Sequence, residues 1–144
     1  MTTTAAPTYG GVEVGTTLPP QTFTLRRMDL VRYAGASGDF NVIHWNERVA
    51  TAVGLPNVIA HGMLTMGTVI RVVTDWTGDP GAVVEYGTRF TRPVPVPDDD
   101  AGSDIEVSAA VSEKLGDNLV KIAIKATYEG STVLAKAIAT VRLP

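Results

Sequence analysis

Cysteine is absent from this 144-residue chain, and that omission removes disulfides, thiolate nucleophiles and cysteine-based metal sites. Histidine is nearly absent: there are two, His44 and His61. Basic residues are few and scattered, twelve against fifteen acidic ones for a net charge of −3, which leaves no electrostatic footprint for nucleic acid. There is also no apolar run fit to span a membrane, because the most apolar stretch, about His61 to Trp76, is short and contains Arg71 and Asp75. The first residues lack the basic and apolar regions of a secretory signal. The expectation is a flexible leader over residues 1–11, then one domain over 12–144, in a cytoplasmic protein. A hydrophobic content of 44% suits such a domain, which at this length buries roughly two thirds of its unfolded surface.

What is present concentrates between Tyr33 and Met66. The run Tyr-Ala-Gly-Ala-Ser-Gly-Asp39-Phe-Asn41-Val-Ile-His44 puts a carboxylate and an imidazole five positions apart, among Gly, Ser and Asn residues that bend backbone. A rigid bent loop can aim two such groups into one pocket, as general acid and general base require. An Asp after Ser-Gly also serves as a turn or capping residue, and a lone histidine as a structural group, so spacing alone leaves both readings open. Both histidines fall in this region, the second in Ala60-His61-Gly62-Met63.

The pattern around this stretch predicts an α+β domain. Gln21–Leu25 reads as a short strand with Phe23 and Leu25 on one face. A helix follows from the Thr24–Asp29 region, ended by Gly35 and Gly38, and a second short one covers Asn46–Val53. The main helix, about His61 to Trp76, is apolar nearly all round and must be buried on most sides. Gly62 opens it, where unpaired N–H groups and the positive dipole end favour developing negative charge and a ligand carbonyl can approach closely. His61 either orients the pocket wall or caps this helix. Strands are then expected at Val83–Phe90, around Ile105–Val111, around Val120–Ala126 and around Val133–Val141, with turns at Leu115–Asn118 and Glu129–Ser131. The small residues Ala135, Ala137 and Ala139, with Val133 and Val141, would line one face of the last strand. The simplest packing is a curved antiparallel sheet wrapped around the long central helix, with dimerisation covering the open edges.

The run from Tyr33 to His44, with Ala60-His61-Gly62-Met63 downstream, resembles the hydratase motif of the MaoC-like, (R)-specific enoyl hydratase and dehydratase family, which has the hot dog fold. Further likeness, from about Val12 to Leu143, is to the catalytic B-type subunits of (3R)-hydroxyacyl-ACP dehydratases of type II fatty acid synthesis. It is carried by Ile43-His44-Trp45, by Ile59 to Gly67, by Gly78 to Val83 and by Pro93 to Pro97. The resemblance implies an Asp39/His44 dyad, an oxyanion contact from the Gly62 amide, Asn41 fixing the loop, and no metal or redox cofactor. It also implies acyl-ACP or acyl-CoA thioesters as substrates, and a homodimer or a heterodimer with a related hot dog subunit. Val42 departs from the pattern, where the family usually has proline. A hot dog thioesterase and a non-catalytic scaffold subunit are the rival readings, and the intact Asp39 and His44 argue against both.

Overall fold

Alternating apolar and polar residues build the longest elements. In β3 (Ser103–Lys114) the side chains of Ile105, Val107, Ala109 and Val111 are buried while Glu106, Ser108 and Ser112 face water. The structure, a computed structural model describing residues 6–144, joins this strand antiparallel to β1 (Gln21–Leu25) on one side and β4 (Leu119–Tyr128) on the other. Next come β5 (Ser131–Arg142) and, at the far edge, β2 (Val83–Phe90), for a spatial order β1-β3-β4-β5-β2. Asp117 and Asn118, at φ 57° and 60°, make the turn between β3 and β4, and Glu129 and Gly130, at 47° and 73°, the turn between β4 and β5. Positive φ at both central positions matches strand twist and joins neighbours tightly.

The β5 stripe differs from the expected one. Ile124 pairs with Ala137 but Ala126 pairs with Leu134, so two residues of β4 span three of β5, and Lys136 takes φ 51°. This bulge shifts the pleat. Ala137, Ala139 and Val141 are buried as expected, whereas Leu134 takes the place opposite Ala126 and Ala135 is only half-buried.

The helices differ in detail too. The first, α1 (Arg27–Ser37), runs through Gly35 and ends at Gly38, whose φ of 76° needs no side chain to be accommodated. Its start is set by Asp29, whose carboxylate accepts the Arg26 N–H at 2.9 Å. The short α2 (Glu47–Ala52) is capped by the Asn46 side chain. The main apolar stretch is two pieces, α3 (Gly62–Val69) and α4 (Arg71–Thr77), joined at Ile70. There the Val73 N–H bonds the Ile70 carbonyl three residues back, which tightens the turn. Val69, Val72 and Val73 are fully buried, while Met63 at the other end is 58% exposed, so the stretch is core at its middle and surface at its start.

The proline segment is built into the body. Ala60 N–H bonds Val94 O and Val96 N–H bonds Val58 O, both at 2.8 Å, so Val58–Ala60 and Val94–Val96 form a short buried ladder leading into α3. The expected leader, residues 1–11, lies partly outside the described residues. Of those described, Tyr9 is tied to the body by its N–H to Pro144 O at 2.8 Å and its hydroxyl to Leu115 O. Among the described residues, no helix is long and apolar enough to cross a membrane. A five-stranded antiparallel sheet on one central helical segment is the hot dog architecture.

Candidate active site

The loop after α1 is shaped by its own side chains. Ser37 Oγ accepts the Asp39 N–H at 3.1 Å, Asp39 Oδ1 accepts the Asn41 N–H at 3.2 Å, and Asn41 Oδ1 accepts the Ile43 N–H at 3.3 Å. Asn41 thereby caps a 3-10 turn, Val42–His44, that carries the imidazole. Where the resembled family has proline, the Val42 carbonyl receives both the Trp45 and the Asn46 N–H, at 3.3 and 2.9 Å. Backbone bonds close the turn that proline would have stiffened.

His44 is buried, and its tautomer is set by backbone. Nδ1 lies 2.7 Å from the Ile59 carbonyl, which can only accept, so Nδ1 carries the hydrogen and Nε2 is left with a lone pair. That lone pair faces Asp39 Oδ2 at 4.0 Å. This exceeds a hydrogen bond and lets both groups reach one oxygen between them. The Asp39 side chain is 51% exposed, against 9% for that of His44. Asp39 does not line the adjoining open cavity; His44 does. That cavity of 290 Å³ is walled also by Gly62, Thr65, Phe90, Arg92 and Leu134. Thr65 N–H to His61 O, at 3.0 Å, is the first bond of α3, so the N–H groups of Gly62, Met63 and Leu64 have no partner within the helix. A Cβ on Gly62 would come within 3.2 Å of the Phe90 ring.

His61 lies beneath the catalytic candidates. It is 1% exposed, and its ring stacks on that of His44 with centroids 3.8 Å apart and planes 23° apart. Its Nε2 donates to the backbone carbonyl of Asp39 at 3.1 Å, and no side-chain bond caps the helix it precedes. Burial, chiefly, pulls its pKa below the ordinary 6.5, opposed by the bond to the Asp39 carbonyl and aided by the charge of His44. Asp39, His44 and His61 offer ligand atoms within 4.8 Å of one another. One nitrogen of each ring is committed to a backbone carbonyl, His44 Nδ1 to Ile59 O and His61 Nε2 to Asp39 O, which leaves one nitrogen of each ring beside the carboxylate.

The structure thus brings Asp39, Asn41, His44 and His61 together, with Gly62 joined to them through the cavity that it shares with His44. Sequence reasoning missed Ile59, whose role is played by a carbonyl that every residue has, and Phe90 and Leu134, which arrive from β2 and β5. Of the arginines, Arg27 is committed to Val96 O, Asn57 and Glu47, while Arg92 lines the cavity.

A hot dog domain with a carboxylate and an imidazole over an apolar cavity is the class that fold and site define. The sequence profile described as MaoC like domain matches residues 12–129, and the chain belongs to that family. It is 40% identical over 82 residues to 3-hydroxyacyl-thioester dehydratase X of Mycobacterium tuberculosis, covering 56% of this chain and 28% of that protein. It is 32% identical over 122 residues to the (R)-specific enoyl-CoA hydratase of Rhodospirillum rubrum, covering 84% of this chain and 81% of that one. These relatives are named as a dehydratase and a hydratase. Among solved structures, one described as a MaoC-like dehydratase superposes with a TM-score of 0.92 at 39% identity, over 96% of this chain and 43% of the other. The unliganded R-hydratase PhaJ1 from Pseudomonas aeruginosa gives 0.82 at 30% identity, over 95% and 85%. The chain therefore spans less than half of the first relative in each comparison and most of the two hydratases.

Proposed function

We propose that this chain catalyses the reversible addition of water to trans-2-enoyl thioesters, giving (3R)-hydroxyacyl thioesters, with Asp39 and His44 as its acid/base pair. One observation carries the reading. His44, its Nδ1–H spent on Ile59 O, presents a free Nε2 lone pair 4.0 Å from Asp39 Oδ2, in the wall of an apolar cavity that also holds the first residue of α3. In hydration the pair takes the proton of one water as its oxygen bonds to C3, and a proton is returned to C2. In dehydration His44 removes the C2 proton and Asp39 helps to protonate the departing 3-hydroxyl. The Gly62 N–H, at the positive end of α3, stabilises the thioester oxygen as negative charge develops on it. Asn41 keeps the loop in register. The remainder of the 290 Å³ cavity receives the acyl chain.

The (R) configuration and the thioester substrate rest on the relatives' names together with this site. Acyl-ACP of type II fatty acid synthesis, mycolic acid elongation included, is the substrate that the B-type subunit resemblance favours. The likeness to an enoyl-CoA hydratase over most of its length supports acyl-CoA. The open β2 edge, with Val84 and Phe90 both about half exposed, suits pairing with a second copy or a related hot dog subunit.

Steady-state hydration of a medium-chain trans-2-enoyl-CoA, followed by loss of conjugated-enoyl absorbance, tests the proposal. Wild type should turn over, and Asp39→Asn and His44→Ala should each lose two or more orders of magnitude in kcat. Turnover that survives both substitutions would sink the dyad. Silence in the wild type with CoA and ACP substrates alike, alone and with a related subunit, would sink the hydratase reading.

A further inference from the structure

The buried histidine is unused by the reaction as written, although the environment around it is unusually specific. Among the described residues, the hydrogen bonds made by the backbone of residues 38–42 come from within residues 34–46, with one exception. The exception is His61 Nε2–H to Asp39 O. The same ring stacks on His44 at 3.8 Å, and Tyr33 packs against it in an edge arrangement at 4.8 Å. Its remaining nitrogen, Nδ1, is buried and has no partner among the described residues.

We infer that His61 is a positioning residue, a neutral imidazole that ties the Asp39 backbone to the start of α3 and sets the plane of His44, so that carboxylate and base stay in register. The argument builds on the acid/base reading above. Half-exposed Asp39 belongs to a stretch, residues 38–42, whose other backbone bonds are local, the next outside anchors being the bonds of Ile43 and His44 to Ile59, and such a stretch moves about those anchors unless something holds its middle. A donor at its carbonyl restrains that motion, and a face-to-face ring restrains rotation of His44. Neutrality is part of the design. A second proton on His61 would sit on Nδ1, buried without an acceptor, and would place a cation against His44 just when His44 must accept a proton.

Two variants separate the donor from the ring. His61→Phe keeps a flat ring and loses the donor; His61→Gln keeps an N–H that can reach the carbonyl and loses the ring. With trans-2-enoyl-CoA, His61→Phe should lower kcat about tenfold or more with KM within about twofold, and His61→Gln should recover part of that loss. Thermal melts of both check that each is folded. The chain has two histidines, so an NMR titration of the wild-type imidazoles, assigned with His44→Ala, reads His61 without turnover. A ring neutral below pH 6.5 with its hydrogen on Nε2 is the expected result. Wild-type kcat in folded His61→Phe, a glutamine variant no better than phenylalanine, or a His61 ring that gains its second proton at or above 6.5 each overturns the inference. A silent wild type would count against the hydratase reading instead, and the ring titration would then decide the role of His61 alone.

Discussion

At the scale of the residue, the site turns on where two imidazoles keep their hydrogens. Each ring gives one N–H to a backbone carbonyl, His44 to Ile59 and His61 to Asp39, and what remains differs: a lone pair facing a carboxylate for one, a sealed nitrogen for the other. Stability should register the second. His61 has a folded-state pKa below 6.5, so above that pH it is neutral both folded and unfolded and adds no pH dependence. As pH falls below 6.5 the unfolded chain takes up the proton first, and stability is lost down through the folded-state pKa. Denaturant midpoints between pH 8 and 5 should therefore fall toward acid, and His61→Gln should flatten the part of that fall between 6.5 and the folded-state pKa; an unchanged slope would refute this account. Asp39 and His44 are the titratable neighbours of the ring, with Tyr33 also against it, so Asp39→Asn and His44→Ala are the controls for their shares.

Among the elements, α3 matters most for its first turn. Gly62 shares the cavity with His44, and the Phe90 ring from β2 closes on it. Gly62→Ala would place a methyl 3.2 Å from that ring, which is half exposed and can swing aside. The variant should fold with a thermal midpoint close to wild type, since alanine suits a helix better than glycine. Its kcat/KM for enoyl thioester should fall about tenfold, because the methyl, and the Phe90 ring that it pushes aside, narrow the cavity that the thioester enters. Unchanged kcat/KM would remove Gly62 from the site. Elements were legible where local chemistry dictates them: the strand β2 at Val83–Phe90, the turn within Leu115–Asn118 and the short helix inside Asn46–Val53 match the pattern read from residues. The break at Ile70 and the bulge at Lys136 were not, because neither residue carries a breaking signal; packing of the helix and pairing to β4 impose them.

For the whole molecule, the sheet order leaves β2 with one neighbour, β5, and a free side. Val84 on that edge is 52% exposed, with Phe90 at 53% nearby. If a second subunit pairs there, light scattering should give twice the chain mass for wild type and the single mass for Val84→Lys, since a charge on an edge strand blocks pairing. A wild type that is monomeric at assay concentration and fully active would argue that the edge plays no part in the chemistry.

The sequence by itself determined the α+β class, the strand and turn pattern, and the loop carrying Asp39 and His44, because turn chemistry and period-two alternation act over a few neighbouring residues. It also excluded thiol chemistry, by composition alone. Only the tertiary structure decided that Ile59 sets the tautomer of His44, that His61 holds Asp39 rather than capping its helix, and that β2 and β5 wall the cavity. Those are contacts between backbone carbonyls and distant side chains, and neither the identity nor the spacing of residues encodes which carbonyl a buried ring will meet.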